Sequence, residues 1–238
     1  MTSELSSRLS DWLKNEVISG GGKGVVFGLS GGIDSTVTAY LCKMAFPDNS
    51  LGLIIPCHSN KADIDDAKSV AKEISLKYET VNLDKVYNTL LESFGHMRDD
   101  RDLSLANIKP RLRMTTLYYY ANKLSYFVVG TGNKSELTLG YFTKYGDGGC
   151  DLLPLGNLTK RNVYSLAKTL KVSERIIQKP PSAGLWKGQT DEGELGVTYQ
   201  EIDNYIEGKT VSEGVKTKIE EMIEKSEHKR NMPKIPDF

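Results

Sequence analysis

The sequence predicts an α/β fold: a doubly wound, mainly parallel sheet with helices on both faces. Short apolar runs rich in β-favouring residues alternate with amphipathic segments of helical spacing. The first run, residues 25–29, leads through a glycine turn into a helix. That order places a ligand at the carboxyl end of a strand, where doubly wound sheets bind their ligands. The alternation and the turn therefore agree on fold and site.

Length and composition narrow the class of protein. The 238 residues suffice for one large domain with a buried core. We expect a single domain over 1–238, with a leading helix at 3–19 and C-terminal helices and tail at 198–238. Lysine plus arginine equals aspartate plus glutamate, at 31 each, which disfavours nucleic acid as a partner.

Compartment follows from what the sequence lacks. There is no secretory signal, and no apolar run reaches the roughly 18 residues that cross a membrane. The three cysteines are scattered without a C-x-x-C pair, which favours a reducing compartment. We expect a cytoplasmic protein with no membrane partner.

Each element is predicted from its own pattern. Continuous apolar runs predict strands, and apolar residues at helical spacing predict helices. The predicted strands are 25–29, 51–55, 78–83 and 126–131. The predicted helices are 3–19, 33–44, 63–76, 84–94, 110–123, 160–170, 199–206 and 211–225.

Three stretches fit neither pattern. Residues 95–107 are polar and charged, which predicts a mobile surface loop. Residues 141–151 combine aromatic rings with glycines, a mixture suited to wrapping a planar, phosphorylated ligand. Residues 180–192 are punctuated by proline and glycine and predict a flexible lid or a ligand-contacting loop.

The turn after the first strand is a candidate phosphate site. It reads Gly28-Leu29-Ser30-Gly31-Gly32-Ile33-Asp34-Ser35. The helix start offers free amides and the positive end of its dipole, glycines allow close approach, and serines add hydroxyl donors. The patterns G-x-x-x-x-G-K-[ST] and G-x-G-x-x-G are both absent. A purely structural turn would need neither two serines nor an acid beside an anion site.

Two charged residues in the second half of the sequence, Glu136 and Lys160, are further candidates for this site. Glu136 follows the fourth strand, and its carboxylate could meet Asp34 across the phosphates. Mg²⁺ usually takes one or two protein carboxylates together with phosphate oxygens. Taken alone, Glu136 would be a helix-start acid favoured by the dipole. Lys160 lies in a first helical turn, where the dipole disfavours a cation, so an anionic partner explains it better.

Other basic residues are ambiguous when taken alone. Arg111 and Arg113 lie on different faces near a helix start, so one can reach a ligand while the other is solvated. His228-Lys229-Arg230 opens a proline-containing tail and is typical of a solvated end.

Six motifs occur in an order that resembles one family. They are Ser-Gly-Gly-Ile-Asp-Ser, Arg-Leu-Arg-Met, Gly-Thr-Gly-Asn-Lys-Ser-Glu, Phe-Thr-Lys-Tyr-Gly-Asp-Gly-Gly, Leu-Thr-Lys-Arg and Ser-Glu-His-Lys-Arg. The first resembles the pyrophosphate loop of the ATP pyrophosphatases, whose sheet is Rossmann-like. Together they resemble ammonia-dependent NAD synthetase over nearly the whole chain.

The resemblance implies a ligase. In that family the nicotinate carboxylate of deamido-NAD attacks the α-phosphorus of ATP, and pyrophosphate leaves. Ammonia then attacks the acyl-adenylate, giving NAD and AMP. The protein must position two anionic nucleotides, neutralise developing charge with Mg²⁺ and cations, and exclude water. The family forms homodimers, with dinucleotide sites at the subunit interface.

The resemblance also implies residue roles. Asp34, Glu136 and Lys160 would be catalytic, and Asp34 and Glu136 would hold Mg²⁺. The expected ATP contacts are Gly28, Leu29, Ser30, Gly31, Gly32, Ile33, Asp34, Ser35, Thr131, Lys160 and Ser182. The expected deamido-NAD contacts are Arg111, Lys144, Asp151, His228 and Lys229, which reverses the solvated-tail interpretation for the last two.

Other functions remain open. Another enzyme with the same loop, such as a GMP synthetase core or a tRNA-thiolating enzyme, is one alternative, although the latter normally needs cysteine pairs or a nucleic-acid surface. A nucleotide-binding regulator without turnover is a second. Glutamine-dependent NAD synthetases carry an additional amidohydrolase domain, for which 238 residues leave no room. Free ammonia is therefore the expected donor, although a separate glutaminase could supply it.

Overall fold

The structure is a computed structural model that describes residues 2–95, 102–186 and 188–238, without the side chains of residues 2 and 3. The strands are β1 (Gly24–Gly28), β2 (Ser50–Ile54), β3 (Lys77–Thr80) and β4 (Tyr126–Val129). The helices are α1 (Thr2–Ser19), α2 (Ile33–Ala45), α3 (Lys61–Glu73), α4 (Asp84–Ser93), α5 (Leu103–Ala106), α6 (Ile108–Leu124), α7 (Lys134–Leu139), α8 (Lys160–Thr169), α9 (Glu174–Ile177), α10 (Asp191–Leu195), α11 (Tyr199–Ile206), α12 (Glu213–Lys225) and α13 (Glu227–Arg230).

The four strands form one parallel sheet in the order β3-β2-β1-β4. In the register of the central pairs, Val26 lies opposite Leu51 of β2 and Val128 of β4. All five residues of β2 are buried, whereas β3 at the sheet edge is mostly exposed. The predicted parallel sheet is confirmed.

Helices cover both faces of the sheet. Successive strand residues point to opposite faces. Val25 and Phe27 accordingly pack with buried residues of α1, α2 and α8, whereas Val26 packs with buried residues of α4 and α6. A third apolar cluster joins α7, α11 and α12. The doubly wound architecture is therefore confirmed, with a small C-terminal helical layer beside it.

The predicted loop at 95–107 is partly wrong. Residues 96–101 lie outside the described residues. Residues 103–106 form α5, whose first turn is capped by Asp102 through a 2.7 Å bond from the Ser104 amide. Leu105 and Ala106 are buried, and the Leu105 carbonyl accepts from the Tyr87 hydroxyl. The prediction weighed the charged residues of this stretch and missed its apolar residues. Leu105 of this stretch packs with buried residues of α4 and α6.

Across residues 2–95, 102–186 and 188–238, the helices are all too short or too polar to span a bilayer.

Candidate active site at the carboxyl edge of the sheet

Hydrogen bonds of its own serines fix the turn between β1 and α2. The Ser30 and Ser35 hydroxyl oxygens lie 2.9 Å apart, and Ser35 also donates to the Gly32 carbonyl at 3.0 Å. Gly32 is the N-cap of α2 and makes no side-chain cap. The first-turn amides of α2 therefore keep donors for an anion, as predicted.

The same turn is pressed against α3. Gly31 has φ +78°, and a Cβ there would lie 2.6 Å from the Asp63 carbonyl oxygen. Lys179 Nζ donates to the Gly31 carbonyl at 3.3 Å and pairs with Asp63 at 2.5 Å and Asp66 at 3.1 Å. Glycine is thus required here for both its conformation and the close approach.

Asp34, Glu136 and Lys160 meet at this point. Lys160 Nζ lies 2.6 Å from Asp34 Oδ2 and 3.2 Å from Glu136 Oε1. The lysine side chain is 2% exposed and each acid 17%. One ammonium therefore bridges two carboxylates that are far apart in the sequence.

The N-caps of α7 and α8 position the Glu136 and Lys160 side chains. Asn133 caps α7 in a reciprocal capping box with Glu136, and its amide nitrogen also donates to Asp34 Oδ1 at 2.8 Å. Thr159 caps α8 in the same way, which places Lys160 in the first turn. Buried Asp203 accepts from Ser135 Oγ at 2.5 Å and from the Arg161 amide at 2.8 Å. The starts of α7 and α8 are thereby joined.

Burial and charge set the protonation of the cluster. The pKa of Glu136 is raised to about 7, chiefly by burial and also by the nearby Asp34, while Lys160 opposes the rise. Burial alone would lower the pKa of Lys160, but Asp34 and Glu136 outweigh burial and raise it. The lysine is a permanent cation, and Glu136 titrates near neutrality.

A third acid lies behind the pair. The Tyr199 hydroxyl lies 2.9 Å from Asp191 Oδ2 and 3.4 Å from Glu136 Oε1, and Lys160 Nζ lies 4.7 Å from the centre of the Tyr199 ring. Asp191 is buried, and burial raises its pKa although bonds from tyrosine hydroxyls oppose this.

The donor set fits a magnesium–triphosphate site. Mg²⁺ prefers carboxylate oxygens and takes only one or two from the protein when phosphates supply the rest. Asp34 and Glu136 already hold one cation, the Lys160 ammonium, between them. Within the described ranges no cluster of three or more His, Cys, Asp or Glu residues could hold a metal by itself. An all-protein metal cage is therefore not a feature of this region.

Two further predicted ATP contacts, Thr131 and Ser182, make no side-chain bond to this cluster among the described residues. Thr131 is half-buried just beyond β4, two residues before Asn133. Ser182 is exposed in the segment before α10, and its Oγ accepts from the Gly184 amide at 3.1 Å. The Ser182 hydroxyl is hydrogen-bonded within its own segment, so its predicted role at the ATP site stays a prediction.

Four of the five predicted dinucleotide contacts gather beside the 141–151 loop. Arg111 Nε donates to the Lys144 carbonyl at 3.3 Å, and Lys144 Nζ donates to the His228 carbonyl. Lys229 Nζ donates to the carbonyls of Gly140 at 2.8 Å and Phe142 at 2.9 Å. The solvated-tail interpretation is wrong for Lys229, which is half-buried, whereas His228 is exposed.

Asp151 is held separately. It accepts from the Tyr118 hydroxyl and from the Val128 amide, both at 2.7 Å. Arg113 was the other residue expected to be solvated or ligand-facing. Its guanidinium instead turns inward, to the Ile55 carbonyl at 3.1 Å and Ser59 Oγ at 3.3 Å. The Arg113 guanidinium therefore donates to groups just beyond the end of β2 and not to solvent.

Sequence reasoning missed three residues around the cluster: Asn133, Asp191 and Tyr199. For Asn133 a signal existed, because Asn-x-x-Glu is a capping box whose acid is Glu136. Asp191 and Tyr199 carry no comparable local signal, since each reaches the site only through tertiary packing.

Comparisons with known proteins agree with one another. The sequence model of the NAD synthase family matches residues 5–233. The NH₃-dependent NAD⁺ synthetase of Carboxydothermus hydrogenoformans is 51% identical over 235 residues, covering 98% of this chain and 97% of that protein. The corresponding protein of Finegoldia magna is 49% identical, covering 99% and 96%.

Solved structures extend the comparison. A structure of NMN synthetase from Francisella tularensis superposes with a TM-score of 0.95 at 40% identity, covering 100% of this chain and 99% of that one. The NH₃-dependent NAD synthetase from Campylobacter jejuni superposes with a TM-score of 0.84 at 31% identity, with the same coverage.

Proposed function

This chain belongs to the NAD synthase family and is, like its curated relatives, an ammonia-dependent NAD⁺ synthetase that uses ATP; we propose that its acid substrate is deamido-NAD and its divalent cation Mg²⁺. The observation that carries the proposal is the Lys160 ammonium bridging Asp34 and Glu136 at the end of the phosphate turn. A buried cation between two acids suits a site where phosphate charge is gathered and neutralised.

The proposed reaction has two steps. The nicotinate carboxylate of deamido-NAD attacks the α-phosphorus of ATP, an O–P bond forms, and the bond to pyrophosphate breaks. Ammonia then attacks the activated carbonyl, a C–N bond forms, AMP leaves with the bonding electrons, and the nitrogen loses a proton. The protein needs no covalent nucleophile and contributes positioning and electrostatic stabilisation.

The ATP site is proposed to use the turn and its neighbours. The first-turn amides of α2 and the serine hydroxyls would bind the triphosphate, and Lys160 would turn from the acids to a phosphate oxygen. The proposed contacts are Gly28, Leu29, Ser30, Gly31, Gly32, Ile33, Asp34, Ser35, Thr131, Lys160 and Ser182. The Gly31 geometry supports this assignment because it holds the turn against a rigid helix.

Asp34 and Glu136 are proposed to hold Mg²⁺. The ion, when bound, supplies positive charge that offsets charge developing on the phosphates. The neighbouring Asn133 amide would keep Asp34 directed at the site. Asp34, Glu136 and Lys160 are thus the proposed catalytic residues.

The acid substrate is proposed to lie along the 141–151 loop. Three basic side chains and an imidazole gather at that loop, which suits a ligand with two phosphates; they belong to Arg111, Lys144, Lys229 and His228. Asp151 would accept hydrogen bonds from a hydroxyl or amide of the ligand.

A second acid substrate is supported by one specific observation. The solved structure with a TM-score of 0.95 is that of an NMN synthetase. Amidation of the mononucleotide acid, deamido-NMN, is therefore the second candidate, and the same chemistry applies at the carboxylate.

Product analysis tests both candidates. The enzyme is incubated with ATP, Mg²⁺ and ammonium plus equimolar deamido-NAD and deamido-NMN, and products are identified by mass spectrometry. NAD, AMP and pyrophosphate in equal amounts support the first candidate. NMN as the main amidated product favours the second, and ATP binding without pyrophosphate release contradicts both.

Further proposals concern the whole protein. We propose one domain over 1–238, a homodimer in the cytoplasm, free ammonia as nitrogen donor, and no nucleic-acid or membrane partner. Exposed Tyr119 and Tyr145, beside the 141–151 loop, support a subunit interface there. Sedimentation equilibrium at twice the subunit mass supports the dimer, and a monomer at micromolar concentration contradicts it.

A further inference from the structure

Tyr199 connects parts of the site that no assigned role links. It is a buried residue at the first position of α11. Its hydroxyl makes a 2.9 Å bond to Asp191 Oδ2 and a longer, 3.4 Å contact to Glu136 Oε1. A phenol has one proton, so it donates to one acid and presents its oxygen to the other.

The ring of Tyr199 has a separate contact. Lys160 Nζ lies 4.7 Å from its centroid, within the distance at which an aromatic face attracts a cation. The ring also shields the ammonium from water, since the lysine side chain is only 2% exposed. Hydroxyl and ring can therefore be tested separately.

Asp191 closes the segment that carries Ser182. Its amide donates to the Pro181 carbonyl at 3.1 Å, and its carboxylate accepts from the backbone of Ala183. Asp191 thereby holds the backbone at Pro181 and Ala183, the residues on either side of Ser182.

Asp191 is close to the cluster without joining it. The described residues contain no group of three or more potential ligands that could hold a metal. The charge of Asp191 acts directly on Glu136 and Lys160, and the Tyr199 phenol adds a hydrogen-bonded connection between Asp191 and Glu136. Groups that orient ligating carboxylates in this way commonly matter 10–100-fold for metal affinity or activity.

We propose that Tyr199 is a positioning residue for the ATP site: its hydroxyl couples Asp191, and with it the backbone beside Ser182, to Glu136, while its ring packs against the Lys160 ammonium. The proposal rests on the proposed function, because it assigns Glu136 and Ser182 to the magnesium–ATP site. It adds that the backbone on either side of Ser182 and the Glu136 carboxylate are held by the same phenol.

Conservative variants test the hydroxyl. In Tyr199→Phe we expect the magnesium concentration for half-maximal rate to rise about tenfold. The rate at saturating magnesium and ATP should change much less. A readout without turnover is calorimetric binding of the magnesium complex of an ATP analogue whose α–β bridge cannot be cleaved, and its Kd should rise by a similar factor. Tyr205→Phe, on the same helix with its hydroxyl 3.5 Å from Glu220, is the control and should match wild type in both.

A double-mutant cycle tests the coupling. Asp191→Asn should raise the same Kd, and Tyr199→Phe combined with Asp191→Asn should be no worse than the more damaging single variant, because one link is broken twice. Tyr199→Leu removes the ring as well and should be more damaging than Tyr199→Phe. Melting temperatures of all variants show that the fold is retained.

The outcomes separate this proposal from the proposed function. An unchanged Kd and unchanged magnesium dependence in Tyr199→Phe overturn it, as do multiplicative effects in the double variant. In either case the wild-type enzyme still makes its amidated product. Failure of the wild type to release pyrophosphate would instead remove the proposed function.

Discussion

Single residues at the site make more than one interaction, so a substitution changes local structure as well as chemistry. Asp34 accepts from the Lys160 ammonium and from the Asn133 amide, using both of its oxygens. Gly31 combines a positive φ with contact to the backbone of α3. In both positions chemistry and local structure depend on the same atoms.

We predict that Asp34→Ala abolishes adenylation and leaves the protein folded. Loss of one partner of a buried ion pair costs about 3–5 kcal/mol when the remaining charge is stranded, but Glu136 still pairs with Lys160, so the cost should be smaller. Pyrophosphate release and urea denaturation measure the two effects. Unfolding of the variant at ambient temperature would count against the assignment.

Gly31→Ala should damage the turn itself. A left-handed conformation costs a non-glycine residue about 1–2 kcal/mol. The new Cβ would in addition lie 2.6 Å from a backbone oxygen that cannot easily move. We expect a lower free energy of unfolding and a clear loss of ATP affinity by calorimetry. For unfolding, Gly28→Ala is the control, because no atom lies within 4 Å of its added Cβ; equal stability losses would contradict the prediction.

At the scale of elements, the site depends on how helices begin. The capping residue of α7 also holds Asp34, and the first turn of α8 presents Lys160. A cap satisfies amides that the helix leaves unpaired, so it fixes the first turn rigidly. Rigid first turns are therefore what bring the acids and the lysine within bonding distance.

Two substitutions at Asn133 separate capping from contact with Asp34. Asn133→Ser keeps a good N-cap but removes the amide that donates to Asp34. We expect stability within about 0.5 kcal/mol of wild type and activity lower by about tenfold. Asn133→Ala should lose activity to a similar extent and also about 1 kcal/mol of stability. Thermal unfolding with steady-state kinetics measures both, and full activity in the serine variant would refute the contact's role.

At the scale of the whole molecule, the site gathers segments far apart in the chain. Asp34 follows the first strand, Glu136 the fourth, and Asp191 comes from the C-terminal layer. Packing three acids around Lys160 leaves more negative than positive charge among these groups. When no metal ion is bound, repulsion among these acids lowers the free energy of unfolding. The size of this effect depends on pH, because the acids titrate.

The Asp191 carboxyl provides a measurable pH effect. Burial raises its folded pKa above the ordinary value of about 3.9. The native state then binds more protons than the unfolded state between the two pKa values, so stability falls as pH rises from about 4 through the folded pKa. Asp191→Asn lacks this loss, and its stability relative to wild type should increase over that range. Urea denaturation from pH 4 to 8 without metal or nucleotide tests this, and parallel pH profiles would contradict it.

Local patterns were sufficient for much of this protein. Apolar runs predicted the four parallel strands, and helical spacing predicted the long helices to within a few residues. The sequence also predicted that Asp34 and Glu136 lie close together, and the structure joins them through Lys160; that they hold a divalent cation stays a prediction. The strands, the helices and the turn depend on near neighbours in the chain. Consecutive residues therefore suffice to predict their backbone geometry.

Contacts across the fold needed the tertiary structure. The short helix α5, the inward turn of Arg113 and the half-burial of Lys229 each depend on partners many residues away. So does the position of Tyr199 between Glu136 and Asp191. The sequence by itself determined which elements form, and it predicted which residues bind phosphate and cation. Only packing decided which buried charges share a partner, because burial and distance arise when separate elements close on one another.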